Sequence, residues 1–177
     1  MGRHERPSSL QHRRPNQLLQ EVSRPHQDPY HWDSTLNADF SNTSSETWLP
    51  LADNYKTLNL ANQIVDKKSH YHFYRDVANM KKSEAVRDGD LDTRALSDYI
   101  LVATRLLPGT SVIVGIVNLS GNDDVVDLSS LKLLPSPLQV VASGVKCSLQ
   151  KGTIVPKNNI KVSGHCALVL ETVNKCC

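Results

Sequence analysis

The sequence predicts a mainly β fold, with an all-β domain over residues 85–177. Three observations carry this. From Tyr99 onward the apolar residues fall in runs of strand length, at 99–104, 112–118, 124–128, 138–142, 152–155 and 166–171. Turn-forming residues such as Pro108-Gly109 divide the runs. No helix-sized pattern intervenes, and strands at this spacing suggest a β-sandwich rather than alternating strands and helices. A segment of this length can bury a small core of its own.

Upstream of residue 85 the pattern differs. Residues 69–82 read as a helix. Ser69 is placed to cap its N-terminus, and Phe73, Val77 and Met80 follow helical spacing with Tyr74 beside them. Lys81 and Lys82 suit the negative end of the helix dipole. Residues 29–68 are loop-like yet hold both tryptophans, Trp32 and Trp48, and large aromatics in a loop need a surface to pack on. Residues 1–28 are dominated by Arg, His, Gln and Pro and read as a disordered polar tail, since they hold too little apolar surface to offset the entropy of ordering.

Composition excludes several classes of function. The formal net charge of +2 lacks the strong basic bias of a dedicated nucleic-acid binder. There is no run of about eighteen apolar residues, so no transmembrane helix is expected. The first twenty residues carry positive charge without an apolar stretch and are not read as a signal peptide. No CxxC pair occurs, and His70 and His72 stand two apart, a spacing that does not face one way on a helix. No metal site is therefore assigned, and the sequence calls for no cofactor. The tripeptides Asn42-Thr43-Ser44 and Asn118-Leu119-Ser120 are candidate N-glycosylation sites at Asn42 and Asn118. Cys147 and Cys166 are read as lying on neighbouring strands of the β-domain. A disulfide, two buried thiols, or a metal site with His165 are all open for them.

Two ordered segments are more specific. Pro29-Tyr30-His31-Trp32-Asp33-Ser34-Thr35-Leu36-Asn37-Ala38-Asp39-Phe40-Ser41 resembles the α-glucosidase segment that follows the last barrel strand, Arg-Thr-Pro-Phe-Gln-Trp-Asp and then Asn-Ala-Gly-Phe-Ser. Thr47-Trp48-Leu49-Pro50-Leu51-Ala52-Asp53-Asn54-Tyr55-Lys56-Thr57-Leu58-Asn59-Leu60-Ala61 is similar to that family's Trp-Leu-Pro-Val-Asn-Pro-Asn-Tyr-Lys-Thr-Leu-Asn, in the form seen in insect maltases. Residues 69–82 resemble the final barrel helix, and Arg87-Asp88-Gly89-Asp90-Leu91 resembles the start of the C-terminal β-domain. On these residues, positions 23–172 resemble the C-terminal part of an α-glucosidase (maltase) of the α-amylase superfamily. The resemblance implies that residues 29–84 are a remnant of a TIM (β/α)8 barrel, comprising the loop after strand eight and the last helix, ahead of a C-terminal β-sandwich. It departs from the family where His31 stands for Gln, Asp39 for Gly, and Gln27-Asp28 for Arg-Thr.

The same resemblance implies a sugar-site wall at Arg24, Trp32 and Asp33; the competing reading is that Trp32 packs the loop and Asp33 ties down backbone. It also implies a secreted or extracellular setting. Retaining glycosidases need two carboxyl groups about 5–5.5 Å apart, carried at the C-terminal ends of barrel strands. The family's Asp-Gly-Phe-Arg-x-Asp-Ala and Asn-His-Asp patterns do not occur in this sequence. No catalytic residue is therefore assigned. The chain reads as a partial α-glucosidase, inactive alone, whose α-glucoside ligands require a barrel supplied from elsewhere; a truncated gene model, a gene fragment or a degenerate paralogue would each fit. The alternative is a non-catalytic β-sandwich interaction module related to the heavy chains of amino-acid transporters, which share the superfamily.

Overall fold

The computed structural model describes residues 28–42 and 47–175. All but the last residue of the predicted polar tail, and Arg24 with it, lie outside the described residues. The chain forms two compact units, one up to Val65 and one from Asp66.

In the first unit, residues 29–33 run into a left-handed turn. Asn37, Ala38 and Asp39 all have φ of 54°, and Trp32 N–H closes the turn by donating to Ala38 O at 3.0 Å. A short helix, α1 (Leu60–Val65), follows. Asn59 caps it: its Oδ1 accepts from Asn62 N–H at 2.9 Å, while its buried amide donates to Tyr55 O. The left-handed turn explains a feature of the sequence. Asp39 occupies a position where the related segment has Gly, the residue that adopts positive φ without steric cost. Asp is tolerated there better than most residues, whereas a β-branched residue is not. Asp39→Val should cost about 1–2 kcal/mol, whereas Asp39→Gly should leave stability no lower. Hydrogen exchange at the Trp32 amide, which reports on this turn, should speed up about tenfold in Asp39→Val.

The second unit opens with α2 (His70–Met80) and α3 (Glu84–Asp88). Ser69 and Ser83 cap them through their side-chain oxygens. Eight strands follow: β1 (Asp90–Ala95), β2 (Ile100–Leu106), β3 (Ile113–Asn118), β4 (Asp124–Val126), β5 (Leu138–Ser143), β6 (Ile154–Val155), β7 (Ile160–Val162) and β8 (Ala167–Thr172). Six of them form an antiparallel sheet in the order β1-β2-β3-β8-β5-β6, and β4 pairs with β7 in a second sheet. The larger sheet is open, with β1 and β6 at its edges. Among the described residues the fold is thus mainly β with few helices and no closed barrel.

The core lies between elements of both sheets. Val102, Val114, Ile116, Val140, Leu168 and Leu170 come from the larger sheet, and Val126, Ile160 and Val162 from the smaller. Their alternation along each strand is what turns a strand into a half-buried surface. β1, Asp-Leu-Asp-Thr-Arg-Ala, has no such apolar row and is exposed throughout. It is held by its register with β2, from Asp90↔Leu106 to Ala95↔Leu101. Gly89 sets the approach to β1. A Cβ there would stand 2.3 Å from Ala85 O and 2.9 Å from Leu106 O, so only glycine lets the end of α3 meet β2.

The apolar positions of α2 are only partly covered. Tyr74 is 74% exposed and Val77 also faces solvent, while Phe73 and Met80 are half-buried. The helix meets β5 along the line of His72, Phe73 and Asp76, and the Asp76 carboxylate pairs with Lys151 Nζ at 2.9 Å. Tyr74, one residue on from Phe73, is turned about 100° away from that contact.

Cys147 and Cys166 form a disulfide, 19 positions apart in sequence and both buried in the core. Closing a loop of that length restricts the unfolded chain by about 3 kcal/mol in the chain-entropy account. Cys147→Ala with Cys166→Ala should lower the unfolding free energy of this unit by about that amount, measured in urea against the oxidised protein.

Candidate functional site

The residues singled out for a sugar-site wall belong to the loop at 29–33. Two backbone bonds fix that loop on α1: Leu60 N–H donates to His31 O at 3.0 Å and Ala61 N–H donates to Trp32 O at 2.9 Å. The carbonyls of the loop thus satisfy the first orphan donors of the helix. The Trp32 ring meets Tyr30 edge-on at 4.7 Å between centroids and remains half exposed.

Asp33 turns onto its own backbone. Its Oδ1 accepts from Thr35 Oγ1 at 2.6 Å and from Thr35 N at 2.8 Å. Those two donors hold its carboxyl below the usual aspartate range. At neutral pH it is a carboxylate whose Oδ1 is directed at the turn, so it has no proton to donate to a leaving group. The geometry of Asp33 is that of a turn-forming residue.

A cleft of about 560 Å3 opens beside this loop, lined by Asp28, Tyr30, His31, Asn54, Leu58 and Gln63 among others. Trp32 and Asp33 are not among the lining residues. His31 is the notable group. Its Nδ1 lies 3.2 Å from Leu58 O, and its buried Nε2 has no hydrogen-bond partner. Sequence reasoning marked His31 only as a departure from the family's Gln, and that departure was the signal available. Among the described residues the cleft is lined by one imidazole, the amide residues Asn54, Asn59 and Gln63, and the single carboxylate of Asp28. It can hydrogen-bond a polyol, but it holds no pair of carboxylates to run a displacement at an acetal carbon.

The two candidate glycosylation sites separate. Asn42 is exposed, although Thr43 and Ser44 lie outside the described residues. Asn118 is 1% exposed. Its Nδ2, the atom a glycan would occupy, lies within hydrogen-bond distance of Asn122 O, Val162 O and Ser163 O, and its Oδ1 accepts from Ser120 N and Oγ. The folded domain leaves that nitrogen no room for a sugar. Among the described residues no group of three or more His, Cys, Asp or Glu side chains is placed to hold a metal, and no helix is long and apolar enough to cross a membrane.

Comparison with known proteins fits this geometry to a family. The α-amylase catalytic-domain family model matches residues 5–89. The α-glucosidase of Apis mellifera is 32% identical over 145 residues, covering 81% of this chain and 25% of that protein. Maltase 1 of Drosophila virilis is 32% identical over 151 residues, covering 85% of this chain and 24% of that protein. Among solved structures, the trehalose-6-phosphate hydrolase of Bacillus licheniformis superposes with a TM-score of 0.67 at 19% identity, covering 88% of this chain and 30% of the enzyme. The sequence is similar to the α-amylase family of glycoside hydrolases. It is α-glucosidase-like, with insect α-glucosidases and maltases as relatives over most of its length. The chain spans about a quarter of the length of the curated relatives it matches. The reading as an interaction module akin to transporter heavy chains finds no support among these glucosidases.

Proposed function

We propose that this chain corresponds to the end of an α-glucosidase: residues 29–84 to the close of the catalytic barrel, with its last helix, and residues 85–177 to a C-terminal β-sandwich. One observation carries this reading. The match to the catalytic domain stops at residue 89, between the last residue of α3, Asp88, and the first of β1, Asp90. A family boundary and a change from helices to sheet meet at one glycine. In this reading the 29–33 loop and its cleft form part of a wall beside an α-glucoside, and Trp32 with Asp33 shape that wall without doing chemistry. Arg24 belongs to the same wall by its place in the sequence. The chain on its own has neither nucleophile nor acid/base and does not turn over α-glucosides.

A chimera tests the placement. Residues 23–172 replace the matched stretch of the Apis mellifera α-glucosidase. A folded, secreted chimera that hydrolyses maltose is expected. A chimera that is monodisperse and folded by circular dichroism, yet inactive, would contradict the placement.

A further inference from the structure

β1 lies at one edge of the six-stranded sheet, and all six of its residues are exposed. An edge strand offers a row of unpaired N–H and C=O groups. In an antiparallel pair, successive residues turn these groups to alternate sides. Leu96 settles the side in β1: its N–H donates to Ile100 O across the hairpin at 2.9 Å. Counting back through the register Arg94↔Val102, Asp92↔Thr104 and Asp90↔Leu106, the even-numbered residues address β2. Leu91, Thr93 and Ala95 therefore turn their backbone groups outward, where the sheet ends.

Edges are commonly guarded by charge. A guard repels a second copy by setting like charges opposite each other. The charges of β1 do the reverse. Asp92 and Arg94 flank Thr93 and share one side of the strand, with Arg94 Nε 2.7 Å from Asp92 Oδ2 and both side chains half exposed. They line an open cleft of about 440 Å3 together with Leu106, Leu131 and Lys132, so they project into free space at the edge. A second β1 can approach antiparallel about a two-fold axis through Thr93. Thr93 then meets Thr93, and Leu91 meets Ala95, so the outward backbone groups find partners. Asp92 stands opposite Arg94 of the second copy, and Arg94 opposite its Asp92, at the non-hydrogen-bonded positions where side chains come closest. Asp90 falls opposite the uncharged Leu96. Centring the axis on a neighbouring residue instead sets Asp92 against Asp92, or Arg94 against Arg94. The charges thus select one register.

We infer that the free edge of β1 is a self-association surface whose partner is a second copy of this chain, joined by β1–β1 pairing about Thr93. A two-fold contact needs a patch complementary to itself, and Asp92-Thr93-Arg94 is such a patch. The pairing runs the two six-stranded sheets into one and leaves no open edge on that side. The inference concerns the β-rich unit alone and goes beyond the reading of the chain as the end of an α-glucosidase.

Sedimentation equilibrium of the 177-residue chain should show a mass that doubles as concentration rises. Asp92→Arg alone, or Arg94→Asp alone, sets like charges opposite each other in the selected register and should weaken association at least about tenfold. Combining Asp92→Arg with Arg94→Asp rebuilds the opposite pairs with signs exchanged and should restore it. Thr93→Pro removes an outward N–H and none of the β1–β2 ladder, a placement that an edge strand tolerates. It should abolish the dimer and leave the urea midpoint unchanged. A chain that stays monomeric at every concentration would overturn the inference. So would a dimer indifferent to both single charge reversals, or one that the combined variant fails to restore. Should Thr93→Pro lower the urea midpoint, the charge variants decide alone.

Discussion

Leu170→Ala should remove on the order of 4 kcal/mol from the unfolding free energy of the β-rich unit. Leu170 has no exposed surface and sits on β8, flanked by Val114 of β3 and Val140 of β5 in one inward row. Truncation deletes buried carbon and leaves a void between three strands that are pinned by their own ladders, so the site collapses poorly. Small domains are stable by about 5–15 kcal/mol, and the loss would be a large share of the total. Leu101→Ala, on the opposite face and half exposed, is the control; it should cost no more than about 1 kcal/mol. Urea unfolding followed by far-ultraviolet circular dichroism reads both. Equal losses would mean that the sheet buries its two faces alike in this chain.

Asn118→Ala should cost a similar amount, about 3–5 kcal/mol. The Asn118 side chain ties the end of β3 to the 120–122 turn and to the carbonyls that follow β7, donating toward Asn122, Val162 and Ser163 and accepting from Ser120. Removing it leaves several polar groups in a buried place without partners, and each costs about 1–3 kcal/mol. Ser120→Ala abolishes the same tripeptide while sparing the Asn118 amide donors. Expressed in a host that does not glycosylate, the Ser120 variant should unfold much closer to the unsubstituted protein than the Asn118 variant does. Coincident unfolding curves for the two would show that the tripeptide, and not the hydrogen-bond cluster, matters at this position.

Asn118 also shows where sequence reading stops. Asn-Leu-Ser is three letters long, and nothing in it says that the Asn sits at an inward position of β3; that follows only from the register. The strands with apolar alternation were legible from the same letters: β2, β3, β5 and β8 fall within a residue or two of the runs at 99–104, 112–118, 138–142 and 166–171. β1 was not, because Asp-Leu-Asp-Thr-Arg-Ala has no apolar row and becomes a strand only by pairing with β2. β7 is three residues long and depends on β4 in the same way. In the candidate site, Asp33 carries a strong motif, yet its Oδ1 is held by Thr35. Asp28 and His31, both at odds with the family motif, are among the residues that line the cleft. A motif records what a family uses; which atoms face the cleft depends on how the 29–33 loop is tied to α1.

Hydrolysis by the purified chain is the most direct measurement. The 177-residue protein, made in a host without background α-glucosidase, is incubated with maltose and with p-nitrophenyl α-glucoside across acid to neutral pH. The expected result is release of glucose and nitrophenol no faster than in a mock preparation, because among the described residues the cleft beside the 29–33 loop holds the carboxylate of Asp28 and no second one. Turnover that co-purifies with the chain through a further column and disappears in a His31→Ala or Asp28→Asn variant would contradict the account and place a catalytic centre in the cleft itself.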